Sequence, residues 1–305
     1  MKTAIIGAGA MGALFGGLLA ESGNEVWLVD VWEAHVRAIV EAGLHIEREG
    51  TTRRIEVHAT TNPSEIGAVE LVIIFVKANQ TRIAARTAAL LPGTDSRVLT
   101  LQNGMGNADA IAEFIDPDRV VAGTTAHGAT VLGPGHIRHA GVGPTTIGMW
   151  RSDDHEPARG IAAGLNAAGI ETTVASDIRR VVWEKLLVNV GINAITALTG
   201  VKNGQLLDLA VTRELCRAAV QEGLDVARAL GIEVRSDAPD HVLQIARATA
   251  ANRSSMGQDV DHRRQTEIDA INGVIVREAR RAGLRAPVNQ TLTALVATLQ
   301  SHYEK

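Results

Sequence analysis

Short apolar runs alternate with amphipathic stretches through the first half of the chain, and the second half keeps a helical period throughout. Strands are predicted at Thr3 to Ile6, Glu25 to Val29, Leu44 to Ile46, Arg54 to Ala59, Val69 to Val76 and Arg97 to Leu101. Val120 to Ala126 and Ala129 to Leu132 are expected to continue the sheet. His136 to His139 and Thr145 to Met149 read as a hairpin, and Glu171 to Ala175 as a closing strand. Helices at Ala13 to Ala20, Gln80 to Leu91 (stopped by Pro92-Gly93) and Ala158 to Ala168 separate them. Strands interleaved with helices point to an α/β, doubly wound parallel sheet. Val69 to Val76, apolar and β-branched without alternation, fits a central strand buried on both faces. From Asp177 the strand signal stops, and helices are expected at Arg213 to Leu230, His241 to Ala251, Gln258 to Ala282 and Gln290 to His302. The expected division is 1–175 for the sheet domain and 176–305 for a helical one.

The helical half opens with Val181 to Gly200, apolar on nearly every side except for Lys185, Asn189, Asn193 and Thr196. At about 100° per residue these four fall on one stripe. Buried amides and an ammonium need partners, because an unpaired polar group costs roughly 1–3 kcal/mol. Neighbouring backbone can supply them, with Lys185 snorkelling to the surface, or a ligand in a lined cleft can.

Other candidates sit where strands end. Gly7-Ala8-Gly9-Ala10-Met11-Gly12 follows the first strand and opens the first helix, the context that turns a GxGxxG match into a dinucleotide-binding signal. Gly7 permits the turn, Gly9 lets backbone approach a pyrophosphate, and Gly12 lets helix and strand pack; the helix N-terminus faces the phosphates. Asp30 ends the second strand 18 residues after Gly12, close to the ~20 at which an acid bonds the adenosine ribose; capping the following helix is the alternative. Its carboxylate repels a 2′-phosphate, and no arginine follows in Val31-Trp32-Glu33, so NAD is favoured over NADP. Lys77 and Asn103 follow the Val69 and Arg97 strands, at the carboxyl ends where open α/β sheets bind ligands. An exposed strand-end lysine and an Asx-type turn are the plainer readings of the two. Glu267 shares a predicted helical face with Ile271, Val274 and Ile275, an unusual setting for a carboxylate. Ser255 with Gln258 has the form of a capping box, although a free helix start also suits a substrate carboxylate.

Composition narrows the function classes. A formal net charge of −4, scattered arginine pairs and 3% aromatic residues argue against a nucleic-acid partner. One cysteine, Cys216, excludes an internal disulfide framework, and the ten histidines show no ligand spacing, so no metal is expected. No signal peptide is read at the start, and no apolar run is expected to reach the ~18 residues of a membrane span. A cytoplasmic setting, no membrane and a homodimer are the corresponding expectations.

GAGAMG at the amino end, FVKA around Lys77, QNGMG around Asn103, WEKLLVNVGINAITAL around Lys185, and SSMGQD with TEIDAING around Glu267 together resemble the ketopantoate reductase (2-dehydropantoate 2-reductase) family, in order from about residue 1 to 300. The resemblance implies a Rossmann-type N-terminal domain, a C-terminal all-helical substrate domain, and hydride transfer from a nicotinamide to a branched 2-keto acid, with 2-dehydropantoate the leading substrate. It makes Lys185 the catalytic lysine and Glu267 its acidic partner. It makes Asn189, Asn193, Asn252 and Ser255 substrate contacts, and places Lys77 and Asn103 at the junction of cofactor and substrate. Asp30 and Val31 stand where many members carry a basic residue for NADP, and Gly257 stands where a larger apolar residue is common. NAD is therefore the expected coenzyme, with NADP the alternative. An NAD-dependent D-2-hydroxy acid dehydrogenase on the same scaffold and a non-catalytic dinucleotide-binding or sensing module are the competing functions.

Overall fold

A computed structural model describes residues 1–91 and 96–303; the Pro92-Gly93 stop lies outside them. The chain divides into two compact units, one of Met1–Gln102 and Asn107–Ile178, the other of Asn103–Gly106 and the chain from Arg179 onward. The break thus falls at 178/179 instead of 175/176, and the loop carrying Asn103 belongs with the helical unit.

The first unit is built on β1 (Lys2–Ile6), β2 (Glu25–Val29), β3 (Leu44–Arg48), β4 (Thr51–Ile55), β5 (His58–Thr60), β6 (Leu71–Ile74), β7 (Arg97–Thr100), β8 (Val120–Thr125), β9 (Gly128–Gly133), β10 (His136–Gly141), β11 (Thr145–Met149) and β12 (Thr172–Val174). Eight of them form one sheet in the order β12-β11-β8-β7-β6-β1-β2-β5. The six strands from β5 to β8 run parallel, and β11 joins antiparallel to β8. The order reverses between β1 and β6, the switch point at which a doubly wound sheet binds its ligand.

A second sheet of four strands, β4-β3-β10-β9, departs from the sequence expectation. Arg54 to Ala59 is two strands in different sheets. The strand at Ala129 to Leu132 does not continue the main sheet, and His136 to His139 and Thr145 to Met149 are not a hairpin, since β10 pairs with β9 and β3 while β11 pairs with β8 and β12. Burial explains the split. β8 is buried at almost every position, whereas β9 alternates between half-buried and exposed residues, the mark of a sheet with one solvated face.

Helix α1 (Ala10–Glu21) lies between these sheets, which is why it is rich in small residues. A Cβ on Gly16 would meet Leu28 at 2.5 Å, and one on Gly17 would meet Ile46 of the four-stranded sheet at 2.6 Å. With both sides filled, the start of α1 is fixed under the glycine loop. The unit also holds α2 (Glu33–Ala42), α3 (Thr81–Leu90), α4 (Asn107–Ala112) and α5 (Glu156–Ala167).

The second unit consists of α6 (Ile178–Thr199), α7 (Ala210–Ala229), α8 (Ala238–Ala248), α9 (Ser255–Asp261), α10 (Asn272–Arg281) and α11 (Pro287–Ser301). By length and mean hydropathy, 1.4, α6 could cross a membrane, contrary to the expectation that no apolar run is long enough; 67% of that stretch is buried against its own fold. Trp183, Leu186, Val190 and Ile195 pack with Cys216, Val220, Val242 and Ile275. The predicted helix Gln258 to Ala282 is broken. α9 stops where Arg263 turns left-handed (φ 52), and a 3-10 turn at Ile268–Ala270 precedes α10. The intervening residues, His262 to Gln265, include no proline or glycine, so the periodicity gave no sign of the break.

Candidate functional site

In the first unit the glycine loop has three distinct environments. Gly7 (φ +96) has no room for a side chain, with the Phe75 carbonyl carbon 2.8 Å from an added Cβ. A Cβ on Gly12 would lie 1.9 Å from the Gly7 oxygen. At Gly9 an added Cβ would find nothing within 4 Å. The loop is therefore closed behind and open in front, at the N-terminus of α1, where the first-turn N–H groups have no intrahelical acceptor. A dinucleotide pyrophosphate fits that arrangement of Gly7, Ala8, Gly9, Ala10, Met11 and Gly12.

Asp30 is tied to the same loop. Its Oδ2 accepts the Ala8 N–H at 2.7 Å and its Oδ1 accepts the Trp32 N–H at 3.0 Å. It does not cap α2, whose N-cap is Trp32. Two backbone donors use only part of the carboxylate's capacity of about four lone-pair sites, which leaves acceptors for sugar hydroxyls. Val31 beside it is exposed.

Lys77 is exposed and starts a short 3-10 turn after β6. Gln102, which sequence reading passed over, fixes this region: its Nε2 donates to the Val76 carbonyl (2.7 Å) and to Thr81 Oγ1 (2.8 Å). Its position one residue before Asn103 in QNGMG was the available signal.

In the second unit α6 presents Lys185, Asn189 and Asn193 at i, i+4 and i+8. Lys185 and Asn189 are half-buried and Asn193 is 5% exposed. Neither asparagine makes a side-chain hydrogen bond among the described residues. Thr196 does not belong with them: it is fully buried, and its hydroxyl meets the Ile192 carbonyl at 2.9 Å and Ser254 Oγ at 2.7 Å. Burial pushes the Lys185 ammonium down to about 8, and the negative charge of Glu267 opposes that shift. The structure thus couples these two groups, although Glu267 precedes a 3-10 turn instead of lying within a helix.

The turn after Glu267 also receives the Asn103 loop. Gly104 (φ +85) lies so close to Ala270 that a Cβ would be 2.5 Å from its oxygen, and the Met105 N–H donates to that oxygen at 3.0 Å. Asn103 is thereby held on the strand of chain that carries Glu267.

The segment from Asn252 to Ser255 is anchored from beneath. Ser254, not Ser255, caps α9, accepting the Gly257 N–H at 3.0 Å. Gln258 donates to the Arg253 carbonyl, so no capping box forms on Ser255. Asn252 and Ser255 are exposed. Arg253 was missed by sequence reading: its guanidinium donates to the Thr196 and Val201 carbonyls at the end of α6 and pairs with Asp261. Gly257 makes room for it, since a Cβ there would lie 2.4 Å from Nη1. That contact accounts for a glycine at this position. A third missed group is Asn272, fully buried, which donates to the Val190 carbonyl (3.2 Å) and to Asn289 (2.9 Å), joining α6, α10 and α11.

Residues 3–152 match the family model of ketopantoate reductase PanE/ApbA, and residues 177–300 match its C-terminal counterpart. A 2-dehydropantoate 2-reductase from Halobacterium salinarum is 41% identical over 98% of this chain and 99% of its own. The chain belongs to the ketopantoate reductase family. A second 2-dehydropantoate 2-reductase, from Pyrococcus abyssi, is 38% identical over 97% of each chain. The crystal structure of a PanE/ApbA family ketopantoate reductase from Ralstonia eutropha superposes with a TM-score of 0.92 at 33% identity over the whole of both chains. D-mandelate dehydrogenase, whose structure holds NADH and anilino(oxo)acetate, also gives 0.92, at 31% identity over 99% of each chain. The scaffold is therefore shared with an enzyme named for mandelate.

Proposed function

We propose that the protein is an NAD-preferring reductase of a branched 2-keto acid, with 2-dehydropantoate the leading substrate. The observation that carries the reading is the coupling of a desolvated ammonium, Lys185, to Glu267 on the helical unit. Bound NADH supplies the hydride. As C2 of the keto acid accepts it, the carbonyl oxygen becomes an alkoxide, and Lys185 Nζ gives that oxygen its proton, leaving a 2-hydroxy acid and a neutral amine. With a pKa of about 8, Lys185 is protonated at neutral pH yet a far stronger acid than an ordinary lysine, as a general acid requires. Glu267 keeps the proton on Lys185 before reaction and draws it back from solvent afterwards. Asn103, Asn189, Asn193, Asn252 and Ser255 orient the substrate, and Lys77 contacts the cofactor.

The coenzyme preference rests on Asp30, whose carboxylate is fixed beside the loop with no arginine following it. A 2′-phosphate there meets negative charge and no compensating cation. The NADH-bound D-mandelate dehydrogenase supports the same preference and gives the second reading, an NAD-dependent D-2-hydroxy acid dehydrogenase. A homodimer working in the cytoplasm completes the proposal; exposed Leu209 and Val211 at the start of α7 favour self-association. The test is a panel of 2-dehydropantoate, 2-ketoisovalerate and benzoylformate assayed with NADH and NADPH. The highest kcat/KM is expected for NADH with 2-dehydropantoate. Benzoylformate in first place selects the second reading, NADPH preference removes the role of Asp30, and no turnover with any pair leaves a binding module.

A further inference from the structure

Behind the dinucleotide loop lies a histidine that the proposed chemistry does not use. His35, in the first turn of α2, is 0% exposed. Its Nδ1 accepts the N–H of Gly135 at 3.1 Å, in the turn between β9 and β10. An accepting nitrogen carries no proton, so the ring is neutral with its hydrogen on Nε2. Burial, the larger influence, lowers its pKa, while Asp30 and the Ala8 backbone favour the charged form. The geometric link to the loop runs through Trp32, which stacks on the ring and donates its N–H to Asp30, the acceptor of the Ala8 N–H. Nε2 is sealed from solvent and has no hydrogen-bond partner among the described residues. One face of the ring stacks on Trp32, with centroids 4.9 Å apart and planes at 14°. Asp30, in turn, accepts from both Ala8 and Trp32.

We propose that His35 is a positioning residue for the dinucleotide, its imidazole tied to the Gly135 turn of the four-stranded sheet and bracing the glycine loop through Trp32 and Asp30. An unpartnered buried N–H carries a desolvation cost that leucine in the same space would not. The imidazole adds two polar ends facing opposite ways. One is engaged by Gly135. The other is sealed inside, so the Gly135 bond sets the ring's orientation, and Trp32 stacked on that ring holds Asp30 and the loop at one height before the pyrophosphate arrives. Trp32 fixes the ring plane, and Asp30 carries the same constraint to the ribose end.

The inference rests on the cofactor reading above, and its test separates the two. Titration with ADP-ribose and steady-state kinetics with NADH are compared for wild type, His35→Leu, His35→Gln and Gly135→Ala. His35→Leu is expected to weaken ADP-ribose binding and raise the KM for NADH by about tenfold, near the net worth of one hydrogen bond, with kcat unchanged. His35→Gln, which keeps an acceptor and a donor, recovers most of the loss. Gly135→Ala acts from outside the loop. Its Cβ would lie 3.0 Å from that of Ala38 at φ +66, lifting the turn off α2 and raising the same KM. If His35→Leu does not fold, the other two variants decide. Unchanged ADP-ribose affinity in Gly135→Ala and in whichever His35 variants fold overturns the proposal, whatever happens to their melting temperatures. So does a His35→Gln protein as weak as a folded His35→Leu. Wild type that fails to bind ADP-ribose removes the cofactor reading itself.

Discussion

Replacing Lys185 by methionine should make the protein more stable and nearly inactive at once. An ordinary lysine titrates at 10.5 and Lys185 at about 8, chiefly through burial, so the folded protein holds this proton less tightly than the unfolded chain. The gap corresponds to roughly 3 kcal/mol at 1.36 kcal/mol per pH unit, an upper figure because the side chain is only partly buried and residual water screens it. Methionine keeps the length and discards the charge. The penalty is complete below about pH 8, fades as pH rises from about 8 to 10.5, and is absent above, since only in that window does the unfolded chain bind more protons than the folded one. Urea unfolding followed by far-UV circular dichroism at pH 7 and at pH 10 reads both limbs. Lys185→Met is expected to exceed wild type by up to about 3 kcal/mol at pH 7, with the advantage largely gone at pH 10. A variant no more stable at pH 7, or an advantage equal at both pH values, would refute the desolvated ammonium.

Glu267→Gln removes the influence that raises the Lys185 pKa, so the alkaline limb of the kcat profile for reduction should move to lower pH; an unmoved limb separates the two residues. Asp30→Ala should raise the KM for NADH several-fold and narrow the gap to NADPH, because the ribose acceptor and the repulsion of a 2′-phosphate go together; coenzyme kinetics check it, and an unchanged ratio assigns Asp30 to the loop alone. Gly257→Ala should displace Arg253 from the end of α6 and cost roughly 1–3 kcal/mol in lost charge-assisted bonds, with a higher KM for the keto acid; thermal unfolding and substrate kinetics read the two effects.

How much could be read from sequence depended on whether the signal was local. The glycine loop, Asp30 and the stripe from Lys185 to Asn193 rest on turn chemistry and helical period, and the coordinates place them on the expected elements. Thr196 satisfies the same period, yet its hydroxyl turns to the backbone and Ser254, because period fixes direction and not partners. The four-stranded sheet was invisible because its strands come from two separated stretches, and β3 pairs with β10 about ninety residues away. Glu267 was singled out on a premise that the fold does not keep: an unbroken helix was expected where Arg263 turns left-handed without a glycine to announce it. Arg253, Gln102 and Asn272 act through carbonyls that no spacing encodes.

The central claim is that Lys185 supplies the proton in reduction of a 2-keto acid by NADH. Its most direct test is kcat for Lys185→Ala beside wild type at saturating NADH and 2-dehydropantoate, with NADH affinity measured on the same samples. The account predicts a fall of about 10²–10⁴ in kcat, the usual worth of a positioned general acid, with NADH affinity nearly intact. Equal kcat in the two proteins would contradict it.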